Sequence, residues 1–178
     1  MHQSVIDFLK RSLSREDVSG KSVIEVGSRI VHGSPRDIMR WLAPAVYVGV
    51  DLIDGKGVDI VLAADKLSTQ FSDVDIVIAT ELLEHVEFWR SAVMEMKKII
   101  KPGGLLIVTS RAPGFPYHPH PGDFWRFTLE DFRTIFSDFE IITLESDPQD
   151  GHPGVFLKAR RPAAYEPRPL TLEVRSVG

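Results

Sequence analysis

Apolar residues recur along this chain in two rhythms, one of helical spacing and one of short unbroken runs. Ser4, with Asp7 three residues on, makes a capping-box-like start, and Val5, Ile6, Leu9 and Leu13 then share one helical face. This predicts a short N-terminal helix that packs on the main body. Residues 21–27 (KSVIEVG) are a continuous apolar run and predict a first strand; Ser34, Pro35 and Asp37 supply a cap, a first-turn proline and an early acid for a helix through Leu42. Runs at 45–52, 57–64 and 73–80 predict the second, third and fourth strands. Val86, Trp89, Val93, Met96 and Ile100 predict a helix from His85 that stops at Lys101-Pro102-Gly103-Gly104, and residues 105–110 (LLIVTS) a fifth strand. Thr128, with Asp131 three residues on, caps a further helix whose inner face carries Phe132, Ile135 and Phe136. Residues 139–146 and 154–160 follow as two strands with no helix between them, which predicts an antiparallel hairpin.

The alternation is that of an α/β fold. Middle strands apolar throughout are buried on both faces, as in a mostly parallel sheet covered by helices. The link between the second and third strands (IDGKG) is too short for a crossover helix, so that face is expected to be open or covered by a partner. At 178 residues and 43% hydrophobic, the chain suits one domain. The expected organisation is a helix over 1–20 packing on the core, a ligand-binding domain over 21–160, and a proline-rich arm over 161–178. The arm is expected to be loose, or an edge or partner-swapped strand, and a homodimer through it or through the open sheet face is a candidate assembly.

Composition narrows the chemistry. The absence of cysteine removes disulfides, thiolate metal sites and a thiol nucleophile, and suits a cytoplasmic protein. A formal charge of −4 argues against a phosphate-tracking surface, so nucleic acid is not an expected partner. The start has too short an apolar run for a signal peptide, and no later run suffices for a membrane span, so no membrane is expected either.

In open parallel sheets ligands lie beyond the carboxyl ends of the strands. Here those ends carry Glu25 and Gly27, then Asp51 and Leu52, then Ala64 and Asp65, then Thr80 and Glu81. An acid closing the second strand suits paired ribose hydroxyls, because one carboxylate accepts a bond from each. The segments VIEVGSRIVHGS, YVGVD, AADKL, DIVIATELLEHV and MKKIIKPGGLLIVTS, in that order over roughly residues 22–160, resemble class I S-adenosylmethionine-dependent methyltransferases of the type-11 group. The resemblance implies a Rossmann-like, mostly parallel seven-stranded sheet with an antiparallel last strand. It implies S-adenosylmethionine as cofactor, Glu25, Gly27 and Ser28 in the cofactor turn, Asp51 on the ribose and Asp65 near the adenine, with Leu52, Ala64 and Thr80 beside them. The first loop departs from the glycine-rich pattern: Ser28, Arg29 and Ile30 follow Gly27, and the second glycine is missing or displaced to Gly33. A sulfonium amino acid has no pyrophosphate to cradle, so Gly27 with Ser28 is expected to suffice. Exposed backbone N–H groups, helped by Arg29 or Arg36, are expected to meet the cofactor's carboxylate.

Glu81, Glu84 and His85 share a helical face if the helix begins early enough. This spacing can seat a divalent ion and resembles a metal site in ubiquinone-pathway O-methyltransferases, but acids complementing a helix dipole explain it without one, and no metal is expected. Residues 111–128 (RAPGFPYHPHPGDFWRFT) follow the fifth strand on the ligand side. His118 and His120 are the candidate bases; Tyr117, Trp125 and Arg126 are candidate acceptor contacts, as is His152 in the hairpin turn. Against that stands a proline-stiffened lid in which Phe124, Trp125 and Phe127 cover the core and Arg126 pairs with an internal acid. His32 in the first loop is read as a solvated histidine. The expected activity is methyl transfer to a small-molecule acceptor, on oxygen before nitrogen. A non-catalytic cofactor-binding or regulatory subunit is the alternative.

Overall fold

The computed structural model describes residues 2–31, 33–119, 121–149 and 151–177. Its centre is a seven-stranded sheet of β1 (Ser22–Val26), β2 (Val46–Asp51), β3 (Ile60–Val61), β4 (Val74–Thr80), β5 (Ile100–Arg111), β7 (Glu140–Ser146) and β8 (Gly154–Arg160). The order across the sheet is β3-β2-β1-β4-β5-β8-β7. All neighbours are parallel except β8, which runs antiparallel to both β5 and β7. The expected α/β fold with an antiparallel last strand is the one observed.

Period-two alternation divides the apolar residues between two layers. Val23, Ile76, Ile78, Ile107 and Phe156 face α1 (Gln3–Ser12), α2 (Arg15–Val18) and α3 (Arg36–Leu42); Ile24, Val26, Val77, Ala79, Leu106, Val108 and Leu157 face α4 (Trp89–Ile99) and α5 (Leu129–Ile135). Thr128 and Asp131 form the expected capping box on α5. Ser4 does not cap α1: His2 stands at the cap, and the Ser4 hydroxyl donates to Asp147 at 3.0 Å. At α3 the cap position falls on Pro35, with the Arg36 amide donating to Ser34 Oγ at 3.1 Å.

Three elements differ from expectation for identifiable reasons. Only Ile60–Val61 of the run 57–64 forms a strand, because the chain just before it closes over the loop after β1: the Ile30 amide bonds Lys56 O at 2.8 Å, and a side chain on Gly57 would meet Ser28 O at 2.5 Å. Residues 64–69 then turn as a 3-10 helix, so Ala64 and Asp65 open a turn and do not end a strand. The helix expected from His85 begins at Trp89. Trp125 Nε1 donates to the Val86 and Glu87 carbonyls at 3.0 and 3.2 Å, the acceptors that an earlier helical start would have used.

The carboxy-terminal arm is docked on its own chain. Its strand β9 (Arg175–Ser176) pairs antiparallel with β6 (Trp125–Arg126), and Leu170, Leu172 and Val174 pack on the α4/α5 core. No crossover helix follows β2, as expected, and Trp41, Val46, Leu52 and Val61 lie exposed around that sheet edge. Among the described residues no helix is long and apolar enough to cross a membrane.

Candidate active site

Two groups of polar residues collect at the carboxyl ends of the strands. The first surrounds β1 and β2. Gly27 takes φ +79°, and a side chain there would press on Leu82 Cδ1 at 2.9 Å, so only glycine serves. The amides that follow are all used internally. Gly27 and Ser28 donate to Val50 O (2.8 and 3.0 Å), Arg29 to Asp51 Oδ2 (3.1 Å) and Ile30 to Lys56 O (2.8 Å). The expectation that exposed amides here meet a cofactor carboxylate is therefore not met for these four. Arg36 is also committed: its Nη2 donates to Gly57 O (2.6 Å) and Asp59 (2.5 Å), and its guanidinium lies over the Tyr47 ring. Arg29 leans on Gly55.

What remains for a ligand is specific. Asp51 ends β2 with one oxygen held by the Arg29 amide and the other by the Ile53 amide (3.0 Å). A carboxylate has about four acceptor positions, so two stay open. Ser28 Oγ is buried without a hydrogen-bond partner, over Gly49, where an added Cβ would lie 2.7 Å from it. Glu25 is buried and accepts from the Tyr47 hydroxyl; burial pushes its carboxyl up to about 7, with Asp51 and Asp59 adding to the rise and Arg36 opposing it. Leu52 is exposed beside Asp51, and Thr80 is buried at the end of β4. Asp65 lies 3.7 Å from Lys66 and lines an open cleft with Arg90, Glu95 and Leu170.

The second group lies around β4 and β5. Glu81, at φ +54°, pairs with Arg111, whose guanidinium is wholly buried, donates to Asp147 (3.2 Å) and the His152 carbonyl (3.3 Å), and covers the Phe115 ring. Glu81 is thus withdrawn from Glu84 and His85. Those two lie in a 3-10 turn, Leu83–His85, ahead of α4 and not in its first turn, so the helix-dipole explanation of their spacing fails.

Glu84 is fully buried: Oε2 accepts from Ser110 Oγ (2.6 Å), and Oε1 has no hydrogen-bond partner. Burial raises its carboxyl above the usual range. Beside it the His85 and His118 rings meet at 4.8 Å between centroids. His85 Nδ1 lies 2.6 Å from the Gly122 carbonyl and His118 Nδ1 3.2 Å from Asp123, so both act as donors and the lone pair of each ring is on Nε2. Burial, with His85 nearby, holds the His118 imidazole below its usual value, leaving it neutral at pH 7.

The loop after β5 is stapled from within. Arg126 grips both oxygens of Asp123 (2.5 and 2.7 Å) and donates to the Phe115 and Pro116 carbonyls. Burial alone would raise Asp123, but Arg126 and the His118 amide hold it at about 2. Arg126 is therefore an internal partner, not an exposed anion clamp, and Trp125 is likewise spent on the Val86 and Glu87 carbonyls. Phe127 is core; Tyr117 is exposed at the loop tip. His152 stacks against His2, whose imidazole burial lowers to about 4, and its Nδ1 lies 3.2 Å from Gln149. His32 and His120 lie outside the described residues.

The structure adds Tyr47, Asp59, Ser110, Arg111 and Asp147 to the residues proposed from sequence. Tyr47, Asp59 and Arg111 did leave a signal, a polar head inside or directly after an apolar strand run; Asp147 sits in an ordinary-looking turn and left none.

A family model described as methyltransferase domain matches residues 1–145. No curated protein matches the sequence. Solved structures share the fold at low identity. An S-adenosylmethionine-dependent methyltransferase from Mesorhizobium loti has TM-score 0.68 and 15% identity, over 89% of this chain and 98% of the other. The N-methyltransferase NodS from Bradyrhizobium japonicum WM9 has TM-score 0.67 and 13% identity, over 90% and 96%. The magnesium protoporphyrin IX methyltransferase from Synechocystis PCC 6803, solved with S-adenosylmethionine bound, has TM-score 0.67 and 18% identity, over 90% and 79%.

Proposed function

The chain belongs to the methyltransferase domain family and is an S-adenosylmethionine-dependent methyltransferase, and from that premise we propose that its acceptor is a small molecule methylated on oxygen. The residues present fit the cofactor at its nucleoside end: Asp51 is pre-set by two amides with acceptor capacity to spare, and Ser28 Oγ is a buried polar atom lacking a partner. Asp51, Ser28 and Gly27 would hold it. When bound, S-adenosylmethionine supplies an activated methyl group on a sulfonium.

The chain's own task is then to position an acceptor and remove its proton. The observation that carries the reading is the cluster of buried Glu84 with half-buried His85 and His118 at the carboxyl ends of β4 and β5. A hydroxyl must shed its proton as its oxygen attacks, whereas a neutral amine already presents a lone pair. A neutral imidazole oriented by Asp123 beside a second imidazole suits the first case. The Mesorhizobium and Synechocystis relatives support methyl transfer on this fold, and the second acts on a small molecule by its name.

Release of S-adenosylhomocysteine from a panel of small phenols, alcohols, acids and amines tests this. We expect oxygen acceptors to turn over, and His118→Ala to lower turnover by about 10²–10⁴-fold with cofactor affinity unchanged, the usual range for positioned proton transfer. Turnover of amines alone would overturn the oxygen reading.

A further inference from the structure

We propose that Glu84, His85 and His118 bind one divalent transition-metal ion of the zinc class. One donor atom from each lies within 4.8 Å of the others. Three features beyond that proximity point to an ion. Glu84 Oε1 is buried in the cluster and has no hydrogen-bond partner, an arrangement that is costly unless a proton or a cation meets it. Each imidazole has its Nδ1–H turned to a protein acceptor, Gly122 O for His85 and Asp123 for His118, so both ring lone pairs are on Nε2. And each donor has an outer partner: Ser110 on Glu84, a backbone carbonyl on His85, a carboxylate on His118. That outer layer is how ligating histidines and carboxylates are fixed at metal centres.

The donor set is two imidazoles and one carboxylate, which suits zinc and its neighbours over magnesium or calcium. With bonds of about 2.0–2.2 Å, tetrahedral ligands stand roughly 3.4 Å apart, so binding would draw the three donors together by about an ångström through side-chain rotation. Among the described residues three protein ligands come together, which leaves a fourth position for an exogenous ligand, as in catalytic centres. This set is not the Glu81, Glu84, His85 spacing read from sequence. Arg111 takes Glu81 away, and the third ligand comes from the loop after β5.

The catalytic consequence rests on the reading above; the ion's occupancy does not. An acceptor hydroxyl in the fourth position would lose its proton more readily, since coordination lowers its pKa: the O–H bond breaks, the proton passes to water, and the oxygen keeps the electron pair. With the ion bound, the His118 Nε2 lone pair is spent on the metal, so in the loaded protein the ion takes over from the imidazole as the group that activates the acceptor, and His118→Ala lowers turnover by removing a ligand.

The test starts from full-length protein stripped with a chelator, then titrated with zinc by calorimetry and with cobalt by visible absorption. We expect one ion per chain, a tetrahedral cobalt spectrum, and loss of both in His118→Ala and Glu84→Gln with melting curves showing folded protein. Ser110→Ala should weaken zinc binding by about 10–100-fold, as removal of an outer partner does. Absence of stoichiometric binding in the wild type, or equal binding in the folded variants, overturns the proposal. Full methyl transfer by metal-free protein would overturn the ion's catalytic role while leaving the proposed function standing; metal binding without methyl transfer would overturn the proposed function and leave the ion's site standing.

Discussion

The loops after β1 and β5 leave the same edge of the same sheet and close their hydrogen-bond accounts differently. From Gly27 to Ile30 every amide has a partner inside the chain, and the nearby charges, Arg36, Asp59 and Asp51, hold one another or the backbone. Ser28 Oγ, the Arg36 Nε–H and the open half of the Asp51 carboxylate are the groups left over. The loop after β5 brings buried charge together and leaves a carboxylate oxygen with no hydrogen bond. The first loop is a finished cradle that a cofactor meets at a few points. The second is a stapled frame around an unbalanced cluster, and imbalance of that kind is where chemistry is to be sought.

Breaking the staple gives the largest expected effect. Arg126→Ala leaves the buried Asp123 carboxylate without its counter-charge and is expected to cost about 3–5 kcal/mol of stability in chemical denaturation. A variant as stable as wild type would mean that Arg126 does not frame the loop. The cradle is sharpened by titration. Glu25 holds its proton up to about 7 in the folded chain and only to about 4.5 when unfolded. Between those values the folded state binds the extra proton, so this group's contribution is complete below 4.5 and is lost as pH rises through 7. About 2.5 pH units correspond to roughly 3 kcal/mol. Glu25→Gln, which keeps an acceptor for Tyr47, should flatten that decline in a pH series of denaturation curves. The smallest effect expected is at the base of the second loop, where Thr128→Ala removes the α5 cap and should cost about 1 kcal/mol without changing cofactor affinity.

The strands, though not their order across the sheet, were legible because period and length are local properties of a buried sheet: Ile76 and Ile78 belong to one layer, and Val77 and Ala79 to the other, by alternation alone. The α5 cap was legible for the same reason, since Thr128 and Asp131 act across three residues. What escaped was set by contacts between distant segments. Nothing near His85 shows that Trp125 will take the carbonyls a helix needs there, so the acids at 81 and 84 were read on a helix that does not begin until Trp89. Likewise nothing near Arg126 distinguishes an inward grip on Asp123 from an outward anion clamp, and nothing near Gly57 announces the crossing over Ser28 that shortens β3.

The central claim is a division of labour, with the cofactor held at the ends of β1 and β2 and the acceptor activated at the ends of β4 and β5. S-adenosylmethionine binding by calorimetry, run on Asp51→Ala and His118→Ala beside turnover and thermal melts, tests it most directly. Asp51→Ala should weaken binding by about 2–3 kcal/mol, the value of hydrogen bonds to a charged group, and His118→Ala should bind as wild type does while turnover collapses. Unchanged affinity in a folded Asp51→Ala, or lost affinity in a folded His118→Ala, would contradict it.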